Sequence, residues 1–310
     1  MKKKLLKCSF LLIFIFVFES LVFSSTVYFS PKIGLKNGIV REYVFDNNHK
    51  LSQLDWNVQN QIDIGFETDF FVENLYFGFD FSVGLYNFSG FMEDRDWFYS
   101  SKPDELTRFS SHDLIVTQNL DFSFDFGIIL SWKGDKSKRQ LSKNHGLENY
   151  ISAFFQFNFY SYNFEGVKGW YDYKDINETG TFEDYGKVIS YNPNFTSLML
   201  GLEGNFNFWD NFSIKTVIAT SFLTKGICID NHWLSKTEFI DSIEGNLFLK
   251  GILELSYNFN RKNALVFGGK VEKLPILKGV SYQNGMLSGA IGGADSFFYE
   301  FYLSYRIRML

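Results

Sequence analysis

The sequence predicts an all-β fold: a transmembrane antiparallel β-barrel of about ten strands, preceded by a cleaved signal peptide. Three observations point there. The N-terminus is laid out like a secretory leader, nothing after Phe18 is apolar for long enough to span a membrane as a helix, and long stretches alternate apolar with polar residues.

The leader comes first. Met1 is followed by three lysines, then Leu5 to Phe18 is almost wholly apolar, then Ser24 and Ser25 supply small residues for cleavage. The apolar run falls short of the ~20 residues a spanning helix needs. Residues 1–25 are therefore expected to be removed, leaving 26–310 as a single outer-membrane barrel domain, because four prolines and no Pro-rich or Ser-rich stretch provide no linker. Of the two cysteines, Cys8 lies in the leader, so the mature chain keeps only Cys228 and forms no internal disulfide. The composition is 20% aromatic, with 38 Phe and 17 Tyr, which suits a barrel whose outer wall meets lipid. A net charge of -5 without a basic run excludes a nucleic-acid surface.

The strands follow in order at 26–45, 51–71, 75–92, 113–133, 148–171, 187–209, 211–230, 244–260, 263–282 and 296–310. In the third, Phe77, Phe79, Phe81, Val83 and Leu85 share one face, opposite Gly78, Asp80, Ser82, Gly84 and Tyr86. In the fourth, Leu120, Phe122, Phe124, Phe126, Ile128 and Leu130 oppose Asp121, Ser123, Asp125, Gly127 and Ile129. A soluble sandwich also alternates, but most of these segments exceed the roughly 3–10 residues of globular strands. The connections decide further. They are short at Val72–Asn74, near Trp209 and at Asn260–Asn263, and longer at Glu93–His112, Asp172–Gly186, Asn231–Gly245 and Gln283–Asp295, as in outer-membrane barrels. Two connections depart from that rule: the first on the long side is brief, and Lys133–Leu147 is long for a periplasmic turn.

Strand parity brings the ends of the first, third and seventh strands to the extracellular mouth, and the polar faces of those strands continue to Glu42, Asp94, Asp96, Cys228, Asp230 and His232. An Asp two residues from a His on one strand face can orient the imidazole and stabilise its charged form. The Asp94–Asp96 pair adds two close carboxylates that repel, and together the groups could hold and deprotonate a water. Spacing alone leaves other readings open: a solvated loop tip, a calcium site at the carboxylates, or Cys228 as a thiol nucleophile beside His232. A zinc site lacks its ligand spacing. His112 falls in the expected second extracellular loop, and His49 and His145 give no comparable signal.

Three segments carry a family resemblance: Lys50-Leu51-Ser52-Gln53-Leu54-Asp55-Trp56; Met92-Glu93-Asp94-Arg95-Asp96-Trp97 with Ser100, Ser101 and Pro103; and Asp230-Asn231-His232. They resemble the omptin outer-membrane proteases. The resemblance implies endoproteolysis at the outside of the bacterial outer membrane, with His232 as general base, Asp230 orienting it, and Asp94 with Asp96 holding the attacking water. It implies polypeptide substrates, a monomer, no cofactor for the chemistry itself, and lipopolysaccharide or a similar outer-membrane lipid as a partner on the wall. Omptins bind basic side chains through acidic ones. Glu42 matches one such position, whereas Cys228 and Arg108 stand at two others, which weakens the expectation of paired basic residues. The competing readings are a catalytically silent barrel acting as an adhesin or surface-binding protein, and a small porin.

Overall fold

The computed structural model describes residues 25–309 except 48, 86, 99–101, 103, 131–148, 184 and 210, so residues 1–24 of the expected leader, His145 and the whole 133–147 connection lie outside the described residues. Among the described residues thirteen strands follow one another: β1 (Ser25–Asp46), β2 (His49–Val72), β3 (Leu75–Gly84), β4 (Asn87–Asp96), β5 (Arg108–Leu130), β6 (Tyr150–Tyr173), β7 (Glu178–Thr181), β8 (Lys187–Trp209), β9 (Phe212–His232), β10 (Thr237–Gly245), β11 (Leu249–Asn258), β12 (Asn263–Gln283) and β13 (Met286–Arg308). Each pairs antiparallel with its neighbours, and β1 pairs with β13, which closes the sheet. β3 and β4 occupy one position between β2 and β5, and β10 and β11 share one between β9 and β12. With β7 only extending the end of β6, ten strand positions surround the barrel, as the alternation predicts.

Alternation sorts the side chains. Ile33, Leu35, Ile64, Phe126, Leu202, Ile218, Leu253, Phe267 and Phe301 are exposed on the outer wall, an apolar belt suited to lipid. Their neighbours turn into the lumen, where charges are buried in pairs: Lys36–Asp63 at 2.9 Å, Lys270–Asp121 at 2.6 Å and Arg306–Glu254 at 2.9 Å. Above them a tier of stacked rings closes the lumen, Trp56 lying on Phe164 and Tyr191, and Tyr162 on Phe164 and Phe298. A lumen filled in this way has the character of a core and not of a channel, which disfavours the porin reading.

Beyond the belt the outer wall becomes charged, with Arg41, Asp55, Arg95 and Glu93 in one ladder and Lys225 beside Glu244 in another. Residues past this level belong to a mouth that stands clear of lipid. The strands bend as they enter it. Asn60 takes φ 55°, Gly90 takes φ 110° and Gly169 takes φ 106°, with register shifts in the β4–β5 and β5–β6 ladders. At Gly90 a Cβ would come within 1.8 Å of the Asn57 carbonyl oxygen, so only glycine fits.

Two expected loops are strand instead. Residues 237–245 form β10 after a short turn, and β13 begins at Met286 after the tight Asn284–Gly285 turn, whose φ values are 50° and 79°. β5 likewise begins at Arg108, so Arg108 and His112 are strand residues rather than loop residues. The cause is physical: above the belt both faces of a strand meet water or polar neighbours, and the apolar alternation that marks a strand in lipid disappears.

Candidate active site

Four of the strands place the predicted groups at the mouth. The C-terminal end of β4 turns Asp94 and Asp96 inward, and the end of β9 does the same for Asp230 and His232. β5, β6 and β8 separate the two strands along one side of the wall, and β2, β1, β13, β12 and β10 along the other. The carboxylate couple and the Asp–His dyad therefore face each other across the opening. His232 Nε2 lies 2.7 Å from Asp230 Oδ2, and the His232 ring packs edge-on against Phe239.

Asp94 and Asp96 stand on the same face, and the Ser52 hydroxyl, cross-strand from Asp96, is within hydrogen-bonding range of both. Burial raises Asp94 well above the usual carboxylate range, with Asp96 adding to the rise and His232 opposing it. Burial also lifts Asp96, against the Ser52 hydrogen bond and the His232 and Arg108 charges, to about 6. For His232 burial disfavours the imidazolium, but Asp230, then Asp94 and Asp96, outweigh it and raise the ring to about 9. Asp94 Oδ1 and Asp230 Oδ1 are buried with no hydrogen-bond partner among the described residues. Buried polar atoms are nearly always partnered, so these oxygens point to a site that receives something.

Glu42 and Cys228 belong to the same mouth. Both are about 2% exposed. Burial raises Glu42 far above its ordinary value, and Asp230, Asp241 and Asp94 add to the rise. Burial likewise pushes the Cys228 thiol up, against a hydrogen bond with Tyr191, which disfavours the thiolate that the alternative reading needs. Arg108 stands apart on the β5 side. Its Nε and Nη2 donate to the Asp175 carboxylate at 2.6–3.0 Å, and its guanidinium lies over the rings of Phe98 and Tyr173.

His112 is not the exposed loop residue the sequence suggests. It is 4% exposed on β5, its Nδ1 donates to the Lys168 carbonyl at 2.6 Å, its Nε2 lies 3.0 Å from Ser110 Oγ, and its ring packs at a tilt against Phe182. Burial lowers its pKa, which fits a neutral structural imidazole. Sequence reasoning also missed Asp241, Asp175 and Ser52. Asp241 could have been found by reading 237–245 as a strand, since Asp241 then falls opposite Cys228 on the inward face. Among the described residues no three His, Cys, Asp or Glu side chains are gathered so as to hold a metal ion.

The model of the omptin family matches residues 24–280 of the chain. A plasminogen activator of Yersinia pestis is 25% identical over 241 residues, covering 76% of this chain and 71% of that protein. The crystal structure of the outer membrane protease OmpT from Escherichia coli superposes with a TM-score of 0.78 at 16% identity, covering 92% of this chain and 97% of the other.

Proposed function

The chain belongs to the omptin family, and from that premise we propose that it is an endopeptidase of the bacterial outer membrane, cleaving polypeptides with an activated water at the extracellular mouth of the barrel. One observation carries the reading: a dyad closed at 2.7 Å faces a carboxylate couple, and both walls offer buried carboxylate oxygens with unused hydrogen-bonding capacity.

The chemistry is general-base hydrolysis, which needs no covalent intermediate. Water is held by Asp94 and Asp96, and neutral His232 takes its proton as the oxygen attacks the peptide carbonyl. The C–O bond forms, the C–N bond then breaks, and the imidazolium returns the proton to the leaving amine. Asp230 orients the ring and stabilises its charged form in between. The same carboxylate raises the resting pKa of the base, so at neutral pH most molecules begin protonated and must lose that proton before turnover.

Outer-membrane lipid, lipopolysaccharide included, is the further partner of this reading, and the protein acts as a monomer. The test compares the refolded wild type with Asp94→Asn and His232→Ala, with and without lipopolysaccharide, on a mixed peptide library read by mass spectrometry. Cleavage that both substitutions abolish while the barrel stays folded is the expected result. A folded wild type that cuts nothing in either lipid condition would leave the surface-binding alternative.

A further inference from the structure

The mouth is electrostatically lopsided along the line a substrate must take. A peptide lying between the β4 couple and the β9 dyad has one flank over β5 and β6 and the other over β1, β13, β12 and β10. On the second flank two carboxylates converge from different strands. Asp241 of β10 sits cross-strand from Cys228 on one side and Ser281 on the other, and its carboxylate accepts a hydrogen bond from Ser281. The side chain reaches over β13 at Gly292, where a Cβ would lie 2.2 Å from Asp241 Cγ, so the missing side chain at Gly292 is what admits it. Two residues further along β13, Ala294 pairs with Glu42. Glu42 counts Asp230 and Asp241 as its foremost charged neighbours.

Both groups are nine-tenths buried or more, at 2% and 3% exposed, and Glu42 Oε2 and Asp241 Oδ1 have no hydrogen-bond partner among the described residues. No cation of the chain is paired with either of them among the described ion pairs. The residues beside them are small: Gly292, which the Asp241 carboxylate overlies, Ala294 and Cys228. A carboxylate absent at position 228 is thus present one strand away, at 241.

The opposite flank has the reverse character. Arg108 is cross-strand from Asp96, and its charge is already matched by Asp175 at 2.6 Å, so the pair offers a cation no net attraction. The guanidinium is fixed by that two-point contact and by the rings of Phe98 and Tyr173, and its Nη1 takes no part in the bonds to Asp175.

We propose that the cleft is charge-polar: Asp241 with Glu42 binds one cationic side chain of the substrate on the β10–β1 flank, and Arg108 admits an acidic or uncharged side chain, not a second cation, on the β5–β6 flank. The substrates are then polypeptides cut where a single basic residue lies beside a non-basic one. The inference rests on the protease reading for its substrate, but its electrostatics can be tested without turnover.

Two readouts separate the failures. Wild type, Asp241→Asn and Arg108→Asp are refolded, checked for the folded band by heat-modifiable electrophoresis, and given the peptide library; binding of fluorescent peptides with one arginine, with norleucine in its place, or with two adjacent arginines is followed in parallel by anisotropy. Wild-type cleavage sites carry a basic residue on one side and are depleted of basic residues on the other. Asp241→Asn, which keeps the shape and the Ser281 contact, loses the preference for arginine over norleucine by roughly tenfold or more in both readouts. Arg108→Asp gains the doubly basic peptide. Binding with this pattern but no cleavage would sink the protease and keep the inference. Cleavage without charge preference, or a preference that Asp241→Asn leaves intact, overturns the inference and keeps the protease.

Discussion

Replacing Asp230 by Asn tests who carries the base. The Asp230 charge leads the groups that raise His232, and its Oδ2 is 2.7 Å from Nε2. With the ring at about 9, only about one molecule in a hundred holds a neutral imidazole at pH 7. Wild-type kcat/KM should therefore climb about tenfold per pH unit and level off near 9. Asparagine preserves the shape and removes the charge, so the rising limb should move down toward the ordinary 6.5, roughly two units lower. The plateau should also fall, by roughly two to four orders of magnitude, because the amide no longer stabilises the imidazolium. A shift from 6.5 to about 9 is worth about 3 kcal/mol in full, and with a ring 35% exposed to screening solvent we take about half of that. The sign for stability follows: a raised base favours the folded barrel below pH 6.5, and that contribution is lost as pH rises through about 9. The assay is a pH series on one peptide, with folding checked at each pH. A rising limb that stays in place in the variant would refute His232 as the titrating base. A wild-type limb near 6 would assign the proton to the carboxylate couple, where Asp96 lies.

Other perturbations address the frame. Gly90→Ala would force a Cβ to 1.8 Å from the Asn57 carbonyl at φ 110°, so refolding yield should fall and the unfolding free energy from urea titration should drop by roughly 2–4 kcal/mol. Lys36→Met strands the buried Asp63 and should cost about 3–5 kcal/mol, whereas the double change with Asp63→Leu should recover most of it in the same denaturant titration. Asp175→Asn releases Arg108 from the β6–β7 tip; the partly exposed pair contributes only about 0–1 kcal/mol, so global stability should hold while hydrogen exchange at residues 174–181 speeds up.

Legibility in the sequence followed the solvent on each side of the wall. Where lipid lies outside, Phe77, Phe79 and Phe81 alternate with polar neighbours, and β3, β5 and β8 fall close to where the alternation puts them. The catalytic candidates were legible for a related reason: the inward face of the third and seventh predicted strands can be followed by twos beyond the belt to Asp94, Asp96, Asp230 and His232. No such extrapolation was possible at the start of a strand. β10 and β13 begin in the wet mouth, with Glu238, Asp241 and Ser242 or with Ser288, Gly289 and Ala290, and this composition reads as loop. Asp241 was hidden for that reason, and with it the partner that answers the loss of a carboxylate at Cys228. The Arg108–Asp175 contact spans 67 residues of sequence and joins a strand start to a hairpin tip, a pairing that no local pattern encodes.

Cation-paired carboxylates in the lumen contrast with the carboxylates of the mouth. Inside the belt the lumen carboxylates Asp63, Asp121 and Glu254 each meet a cation at 2.6–2.9 Å, as burial in a low-dielectric wall requires. At the mouth Glu42, Asp230 and Asp241 are buried as deeply and Asp94 is half-buried, yet each keeps one buried oxygen unpartnered among the described residues. A lysine in place of any of them would make a more comfortable core. Retaining four half-satisfied carboxylates around one histidine lowers the stability of this end of the barrel, and the groups that relieve the strain are those a hydrolase would bring: a water between the couple and the dyad, and a cationic side chain between Asp241 and Glu42. The stable lumen beneath holds the two walls apart at a fixed span, so the cost of the mouth is borne by the barrel rather than by motion of the site.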